Sequence, residues 1–290
     1  MKEVLRAACV QFRARAEKTE NIALMGPLVA EAAGRGADVV LLPEKWNAWL
    51  DGPELRAQAE ALDAGPTVEA MSDWARTHRV NLIGGSIAIV GEGDRVENVS
   101  IAFDRDGVRV AAYTKIHLFD VDVGGISYRE SDGTAPGCGP VVADLAGVRI
   151  GLTVCYDLRF PELYRTLALE GGATVLTVPS NFTLITGMAH WEVLLRARAI
   201  ENQAFVLATG QHGYPGGLRK PSYGHSMIID PWGTVLAQAP DGDGVIVADL
   251  DMAALAGIRE RLPALRHRRP DGYGGLEEES LAADRLEAGA

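Results

Sequence analysis

The chain has 290 residues, of which 47% are hydrophobic, so it can bury a sizeable core. Its formal net charge is −11 at pH 7, which makes it poorly suited to bind nucleic acid, whose phosphates it would repel. Its three cysteines, Cys9, Cys138 and Cys155, include no CxxC pair, which argues against a zinc knuckle and against a disulfide framework. No apolar run is long enough to cross a bilayer and no secretory apolar segment follows the first residues, so we expect a cytoplasmic protein without a membrane partner.

Apolar runs bounded by turn residues predict a series of strands, and stretches with helical periodicity lie between several of them. Strands are predicted at residues 4–12, 38–43, 81–90, 96–103, 108–113, 148–154, 174–178, 205–209, 223–229, 234–238 and 245–249. Helices are predicted at residues 20–33 and 66–78, between Pro161 and Gly171, and at 188–203. Residues 117–140 lack clear periodicity and are predicted to form a long loop, a kind of segment that often has a function.

The order of these elements indicates the fold class and the domain organisation. Helices alternate with strands, but turn signals at residues 104–107 and 230–233 predict hairpins, which favours an α/β fold with a mixed sheet over a purely parallel one. The sequence contains no internal repeat and no linker-like segment. We therefore predict one domain at residues 1–262, followed by an irregular C-terminal tail at 263–290 that packs on the domain or on a partner subunit.

Three reactive side chains each lie just past the end of a predicted strand. They are Glu44, Lys115 and Cys155, which follow the second, fifth and sixth of the predicted strands. Because ligand crevices in α/β sheets form at the carboxyl ends of strands, we expect a carboxylate, an ammonium and a thiol to meet there. Such a group of side chains is suited to acyl transfer.

The chemistry of these groups suggests a role for each. A thiol is mostly protonated at neutral pH, so Cys155 needs a base, for which Glu44 is the candidate. Attack on an amide carbon creates an oxyanion, which Lys115 and the backbone N–H of Tyr156 would stabilise, one such donor being worth about 3 kcal/mol of barrier. Taken singly, however, Cys155 also fits a buried apolar residue, and Glu44 and Lys115 fit solvated surface groups.

Three motifs resemble the nucleophile, general-base and lysine motifs of the nitrilase (carbon–nitrogen hydrolase) superfamily. They are, in that order, LTVCYDLRFPE at residues 152–162, LLPE at 41–44 and YTKIHLFD at 113–120. The resemblance extends from about residue 5 to residue 275 and implies that Glu44, Lys115 and Cys155 act together. It also implies a four-layer αββα sandwich with mixed sheets, a homodimer or larger homo-oligomer built through one helical face, and chemistry without a metal or an organic cofactor.

The resemblance extends to a fourth site residue and to a branch of the family. Many members carry a second glutamate in the loop after the lysine, and Glu130 matches that position. Tyr156 and Asp157 after the cysteine resemble amidases, and residues 179–201 are similar to the Nit branch, whose members cleave deaminated glutathione or 2-oxoglutaramate. The segments at residues 222–233 and 267–273 look more like the deaminated-glutathione enzymes.

Substrates of that branch carry carboxylates, which an acidic chain must hold with local cations. The candidates are Arg159 first, then His190, Arg129 and Arg219. Tyr156 and Phe182 are expected to line the pocket. The sequence thus predicts an amidase that cleaves a small anionic amide through a thioester on Cys155, with deaminated glutathione, cut to 2-oxoglutarate and cysteinylglycine, as the favoured substrate.

Several alternatives are open on the sequence alone. The enzymatic ones are an omega-amidase acting on 2-oxoglutaramate and an N-carbamoyl amidohydrolase, and a non-catalytic scaffold with the same fold is the alternative of another class. A papain-type pair, in which His190 or His225 rather than Glu44 is the base of Cys155, is the chemical alternative. Residues 120–125 begin like a calcium loop, but Ser131 stands where the bidentate glutamate belongs, so no metal site is predicted.

Overall fold

The computed structural model describes residues 3–48, 52–217 and 221–273, and these residues form an α/β structure. The strands are β1 (Val4–Gln11), β2 (Val39–Leu41), β3 (Asn81–Ile83), β4 (Ile87–Val90), β5 (Val96–Phe103), β6 (Arg109–Thr114), β7 (Asp120–Val123), β8 (Ile126–Arg129), β9 (Thr134–Ala135), β10 (Val141–Leu145), β11 (Val148–Leu152), β12 (Val175–Ser180), β13 (Phe205–Gly210), β14 (His212–Gly213), β15 (Ser222–Tyr223), β16 (Met227–Ile229), β17 (Val235–Gln238) and β18 (Gly244–Asp251). The helices are α1 (Lys18–Gly34), α2 (Gly52–Ala57), α3 (Pro66–His78), α4 (Pro161–Leu169), α5 (Leu184–Asn202) and α6 (Met252–Arg261).

Two mixed β-sheets form the centre of the fold. The strand order is β18-β1-β2-β3-β5-β4 in the first sheet, with β6 and β9 also paired to β5, and β10-β11-β12-β13-β16-β17 in the second. Each sheet contains three neighbouring parallel strands, β1-β2-β3 in one and β11-β12-β13 in the other, with antiparallel strands on both sides. The prediction of a mixed rather than a purely parallel sheet is therefore confirmed.

The alternation of side chains along β1 shows how the layers are stacked. Successive residues of a strand point to opposite faces of its sheet. Leu5 and Cys9 point into a core shared with β11, β12 and β13 of the second sheet, whereas Ala8 and Val10 pack into a core with α1 and α3. Helices α4 and α5 pack on the second sheet, for example through Tyr164. The result is the four-layer αββα sandwich that the resemblance implied.

The prediction of a long loop at residues 117–140 is wrong, because this segment contains the hairpin of β7 and β8. Valines alternate with aspartates in β7, a period-2 pattern that fits a strand exposed on one side. Gly124 and Gly125 form the turn with φ angles of +59° and +74°, as a two-residue hairpin connection requires. The hairpin ends at Arg129, and a 3-10 helix (Glu130–Asp132) follows it directly.

The C-terminal part of the chain adds a helix that the apolar pattern did not indicate. Helix α6 begins after Asp251, whose carboxylate accepts a 2.9 Å hydrogen bond from the N–H of Ala254 and so caps the first turn. A short 3-10 helix (Pro270–Tyr273) follows, and residues 274–290 of the predicted tail lie outside the described part of the chain. The division at residue 262 stays a prediction. Among the described residues, no helix has the length and apolar character needed to cross a bilayer.

Candidate active site

One cavity of about 1050 Å³ contains all four residues that the sequence predicts to be catalytic. Glu44 follows β2, Lys115 follows β6, Cys155 follows β11 and Glu130 follows β8. Glu44, Lys115 and Cys155, the three residues expected to meet at strand ends, thus line one cavity together with Glu130. Their individual roles in catalysis stay a prediction.

The turn after β2 positions Glu44. Its backbone forms an isolated bridge with Ser86, on the connection between β3 and β4. The neighbouring residue, Gly85, has a φ of +64°, and a Cβ atom there would lie 1.9 Å from the carbonyl oxygen of Pro43. Only glycine fits this close approach, so the Gly84-Gly85 pair fixes the turn that carries the glutamate.

The Glu44 carboxylate is buried and accepts hydrogen bonds at both oxygens. Its Oε1 accepts from Lys115 Nζ at 3.2 Å and from Asn98 Nδ2 at 3.1 Å, and its Oε2 accepts from the backbone N–H of Asn181 at 2.9 Å. Donors on three separate elements therefore hold the carboxylate in one orientation inside the cavity.

Cys155 lies at a sharp turn between β11 and a 3-10 helix (Cys155–Arg159). Its φ of +49° is uncommon for a residue with a side chain, and such angles recur at functional sites. Burial and then the nearby Glu44 carboxylate raise the pKa of the Cys155 thiol well above its ordinary value, although the Lys115 charge acts in the opposite direction. The resting thiol is thus protonated at neutral pH, and attack by its sulfur requires a base.

Lys115 connects the two glutamates of the cavity. Its ammonium lies 3.2 Å from Glu44 Oε1 and donates a 2.7 Å hydrogen bond to Glu130 Oε2. Burial alone would lower the pKa of Lys115, but the charges of Glu130 and Glu44 outweigh it and raise that pKa well above its usual value. Burial alone would likewise raise the pKa of Glu130, but the charges of Lys115 and Lys45 hold it well below its usual range. Both groups are therefore charged.

Asn98 is a site residue that lies outside the three sequence motifs. Its Nδ2 donates to Glu44 Oε1 at 3.1 Å and to Glu130 Oε1 at 3.3 Å, so one amide bridges both carboxylates. Its Oδ1 is buried and has no hydrogen-bond partner among the described residues. The available signal was an amide within an otherwise largely apolar buried strand, β5.

Asp157 is a second such residue, although it lies inside the nucleophile motif. Its fully buried carboxylate accepts hydrogen bonds from the N–H of Val154 at 2.8 Å, the hydroxyl of Tyr113 at 2.8 Å and the N–H of His117 at 3.1 Å. These bonds hold the turn that carries the thiol. Asp157 is not among the residues that line the cavity, so it acts on the site through the backbone.

The residues predicted to bind the substrate have different places in the structure. Tyr156, Phe182 and Arg159 line the cavity, and the role of Arg159 as the cation for a substrate carboxylate stays a prediction. The guanidinium carbon of Arg159 lies 5.8 Å from the ring centre of Tyr156 and 5.6 Å from that of Phe182, which holds the cation between two aromatic rings. His190 does not line the cavity, contrary to the prediction, because it is exposed on α5. Its Nδ1 lies 3.3 Å from a guanidinium nitrogen of Arg159, so it contacts the cation from outside.

The weaker candidates lie at the edge of the cavity or outside it. Arg129 lines the outer part and pairs with Asp122 at 3.0 Å in an exposed ion pair. Arg219 lies outside the described residues. His225 lies in a separate pocket, 3.8 Å from Asp241. Since neither His190 nor His225 lines the cavity, the geometry favours Glu44 over a histidine as the base.

A thiol, a carboxylate and an ammonium in one cavity of an αββα sandwich are arranged for acyl transfer, and the comparisons with known proteins agree. The model of the carbon–nitrogen hydrolase family matches residues 6–260. Mouse deaminated glutathione amidase is 42% identical over 277 residues, which cover 93% of this chain and 84% of that protein. Human omega-amidase NIT2 is 37% identical over 269 residues, which cover 92% of this chain and 96% of that protein.

A solved structure supports the same relationship. The crystal structure of Saccharomyces cerevisiae Nit3, a member of branch 10 of the nitrilase superfamily, matches with a TM-score of 0.83 at 29% identity, covering 93% of this chain and 98% of that one. The chain therefore belongs to the carbon–nitrogen hydrolase family. It is a hydrolase of the amidase type, which acts on carbon–nitrogen bonds other than peptide bonds.

Proposed function

We propose that this amidase cleaves a small linear amide that carries carboxylates, through a thioester on Cys155. The observation that carries the proposal is a single cavity of about 1050 Å³ lined by the Cys155 thiol, the Glu44 carboxylate and the Arg159 guanidinium. The thiol and carboxylate supply a nucleophile and its base, and the guanidinium is a cation for a substrate carboxylate. The volume suits a ligand of tripeptide size.

The first half of the reaction forms the thioester. Glu44 takes the proton of the Cys155 thiol while the sulfur attacks the amide carbon, and the carbonyl oxygen becomes an oxyanion. The ammonium of Lys115 and the backbone N–H of Tyr156 stabilise this charge. The tetrahedral intermediate then expels the amine, which receives the proton from Glu44 as the carbon–nitrogen bond breaks.

The second half releases the acid. Glu44 takes a proton from a water molecule, whose oxygen attacks the thioester carbon, and the same two donors stabilise the second oxyanion. The carbon–sulfur bond breaks, and the thiolate recovers the proton from Glu44. Glu130 orients Lys115 throughout, since it accepts the shortest hydrogen bond of that ammonium, at 2.7 Å.

The favoured substrate is deaminated glutathione, cleaved to 2-oxoglutarate and cysteinylglycine. Mouse deaminated glutathione amidase, at 42% identity, supports this choice. The distribution of cations supports it too. Arg159 lies between the rings of Tyr156 and Phe182, and Arg56 and Arg129 also line the cavity. A substrate with a carboxylate at each end therefore has a cation for both. An omega-amidase activity on 2-oxoglutaramate is the second candidate, favoured by the 37% identity to human omega-amidase NIT2.

Assays of both substrates on the purified protein test this choice. Release of cysteinylglycine from deaminated glutathione with a larger kcat/KM than release of ammonia from 2-oxoglutaramate supports the first candidate, and the reverse order supports the second. Intact-mass analysis of enzyme quenched during turnover should show an acyl adduct that maps to Cys155. Cys155→Ala should abolish both turnover and adduct, whereas Cys138→Ser, which changes an exposed cysteine that does not line the cavity, should not. Turnover by Cys155→Ala would refute the mechanism.

We further infer a homodimer or larger homo-oligomer, built through the outer face of α5, and a cytoplasmic location. Assembly is supported by apolar side chains exposed on one side of this helix, namely Ile185, Met188, Val193 and Ile200. The exposed fraction is 71% for Met188 and 68% for Val193. In support of the location, the three cysteines form no disulfide. Light scattering of the wild type and of Met188→Glu tests the assembly, since a monomeric wild type would refute it.

A further inference from the structure

Lys45 is a second lysine in the cavity, next to the glutamate proposed as the base. Consecutive residues of an extended strand point to opposite sides, yet Glu44 and Lys45 both line the same cavity. The φ of Lys45 is +47°, a left-handed conformation that breaks the alternation. Its N–H donates to the carbonyl of Ser86 at 2.8 Å, which fixes this backbone. The turn therefore directs a second cation inward.

The charge of Lys45 balances that of Glu130. The Nζ of Lys45 lies 3.3 Å from Glu130 Oε1, on the oxygen opposite the one that accepts from Lys115. All four charged groups at this end of the cavity are largely buried, so water screens them little. Two carboxylates and two ammonium groups sum to zero. Without Lys45, Glu44 and Glu130 would outnumber Lys115, and this end of the cavity would carry a net negative charge.

A net negative charge at this end of the cavity would repel an anionic substrate, particularly in a chain of net charge −11. Arg159 is a further cation that lines the cavity, and it forms no ion pair with a carboxylate among the described residues. The charges of the other charged side chains that line the cavity, Arg56, Arg129, Asp94 and Asp132, sum to zero. Because the charges of Glu44, Glu130, Lys115 and Lys45 sum to zero, Arg159 gives the cavity a net positive charge. Without Lys45, the excess negative charge of the two glutamates would cancel the charge of Arg159.

We propose that Lys45 determines specificity for carboxylate-bearing amides by neutralising Glu130 inside the cavity. This proposal rests on the proposed amidase function, which it deepens by assigning the residue that selects anionic substrates. It concerns the charge of the cavity and requires no direct contact between Lys45 and the substrate.

The test compares glutaramate with glutaramide, which differ only in a carboxylate against a carboxamide of the same shape. Lys45→Met is expected to lower the ratio of kcat/KM for glutaramate to that for glutaramide by about tenfold or more. Lys45→Arg should restore the ratio to within about threefold of the wild type, because it keeps the charge. Lysine, methionine and arginine are all unbranched at Cβ, so the left-handed backbone at position 45 costs each of them a similar conformational energy.

A control variant tests whether the result is specific to Lys45. Arg105→Gln makes the same change in net charge at an exposed hairpin turn and should leave the ratio at the wild-type value. An equal loss of kcat/KM for both substrates in Lys45→Met, or a ratio unchanged by it, would overturn the proposal. So would an equal fall of the ratio in Arg105→Gln.

A binding measurement separates this proposal from the amidase mechanism. Glutarate, titrated calorimetrically into Cys155→Ala protein, reports the charge preference without turnover. Adding Lys45→Met should raise its Kd by about tenfold or more, and adding Lys45→Arg should not. If the wild type hydrolysed neither amide while glutarate binding still depended on Lys45, the proposed activity on these amides would fail, but Lys45 would still determine the preference of the cavity for an anion. A Kd unaffected by Lys45→Met would overturn the Lys45 proposal.

Discussion

Tyr113 donates a 2.8 Å hydrogen bond to the fully buried carboxylate of Asp157. The tyrosine lies two residues before the lysine of the cavity and the aspartate two residues after the cysteine, so this bond joins the strand that leads to the ammonium to the turn that carries the thiol. The same carboxylate accepts from the backbone N–H groups of Val154 and His117. One buried carboxylate therefore sets the relative position of the proposed nucleophile and oxyanion donor.

Asp157→Asn is predicted to impair both stability and turnover. Asparagine keeps the shape, but its NH₂ would oppose donors that now meet a carboxylate oxygen, and each lost hydrogen bond to a charged group costs about 1.5–3 kcal/mol. We expect a loss of about 2–4 kcal/mol in the free energy of unfolding, from urea denaturation, and a lower kcat. Tyr113→Phe removes one of these donors and also the acceptor of the Ile116 N–H, but leaves the carboxylate and its backbone donors in place, so it should cost less than Asp157→Asn. A urea midpoint of Asp157→Asn equal to that of the wild type would contradict this role.

Asn98→Ala is predicted to lower kcat by about tenfold to a hundredfold with little change in KM, because it removes the donor that holds two carboxylates in place without removing a cation of the cavity. The matched control is Ser100→Ala, two residues along the same strand. The hydroxyl of Ser100 is buried without a hydrogen-bond partner among the described residues, so its removal should not harm the enzyme. Steady-state kinetics on one amide compare the two variants. Equal kcat values would show that the bridging amide has no positioning role.

The order of the predicted elements indicates the α/β class with mixed sheets, whereas the four-layer sandwich and the proposed catalytic residues follow from three short motifs that resemble those of a known family. Helix α3 was predicted with the bounds that the structure has, since Pro66 marks its start, and the residues of the three motifs meet at strand ends. The hairpin at residues 120–129 was also readable, from alternating valines and a Gly-Gly turn, but the polar composition hid it. These are short-range patterns, which a single sequence contains in full.

The contacts that complete the site are long-range. Asn98 reaches Glu44 across 54 positions, and Lys45 enters the cavity only because its backbone is left-handed. Neither fact follows from periodicity, because both depend on how β5 and the turn after β2 pack together. His190 was misplaced for a related reason: helical spacing alone did not say which side of α5 faces the cavity.

Glu130→Gln is predicted to destabilise the protein in a way that depends on pH. The pKa of Glu130 is lowered on folding, so its charge stabilises the folded state above the unfolded-state pKa of about 4.3, and this contribution is lost as the pH falls toward the lower folded-state pKa. Loss of one partner in a buried ion pair typically costs about 3–5 kcal/mol. We expect that difference between variant and wild type at neutral pH, and a smaller one below about pH 4.

Urea denaturation at a series of pH values measures this difference. Glu31→Gln provides the control, because it breaks an exposed ion pair with Arg35 on α1 and should cost less than about 1 kcal/mol at any pH. A destabilisation of Glu130→Gln that stayed constant down to pH 3 would mean that the charge of the carboxylate is not what stabilises the fold.

Glu44→Gln is predicted to make the thiol of Cys155 more acidic while abolishing turnover. After burial, the Glu44 carboxylate is the largest influence that raises the pKa of this thiol, and Lys115 lowers it. The neutral glutamine removes the repulsion between the carboxylate and the sulfur while Lys115, still paired with Glu130, keeps its charge, so the thiolate should form at a lower pH than in the wild type. Turnover should nevertheless fall by at least about a hundredfold, since the variant lacks the base that returns a proton to the leaving amine and activates water.

Thiolate absorbance near 240 nm, recorded against pH in a Cys138→Ser background, measures the titration, and subtraction of the Cys155→Ala spectrum assigns it. The result separates two mechanisms. If a preformed thiolate paired with Lys115 were the reactive species, a lower thiol pKa would preserve or raise the rate of thioester formation. If Glu44 is the base, the variant gains thiolate and loses hydrolysis. An unchanged or higher thiol pKa in Glu44→Gln would contradict the electrostatic account of the site, because the carboxylate would then not be close enough to oppose the charged sulfur.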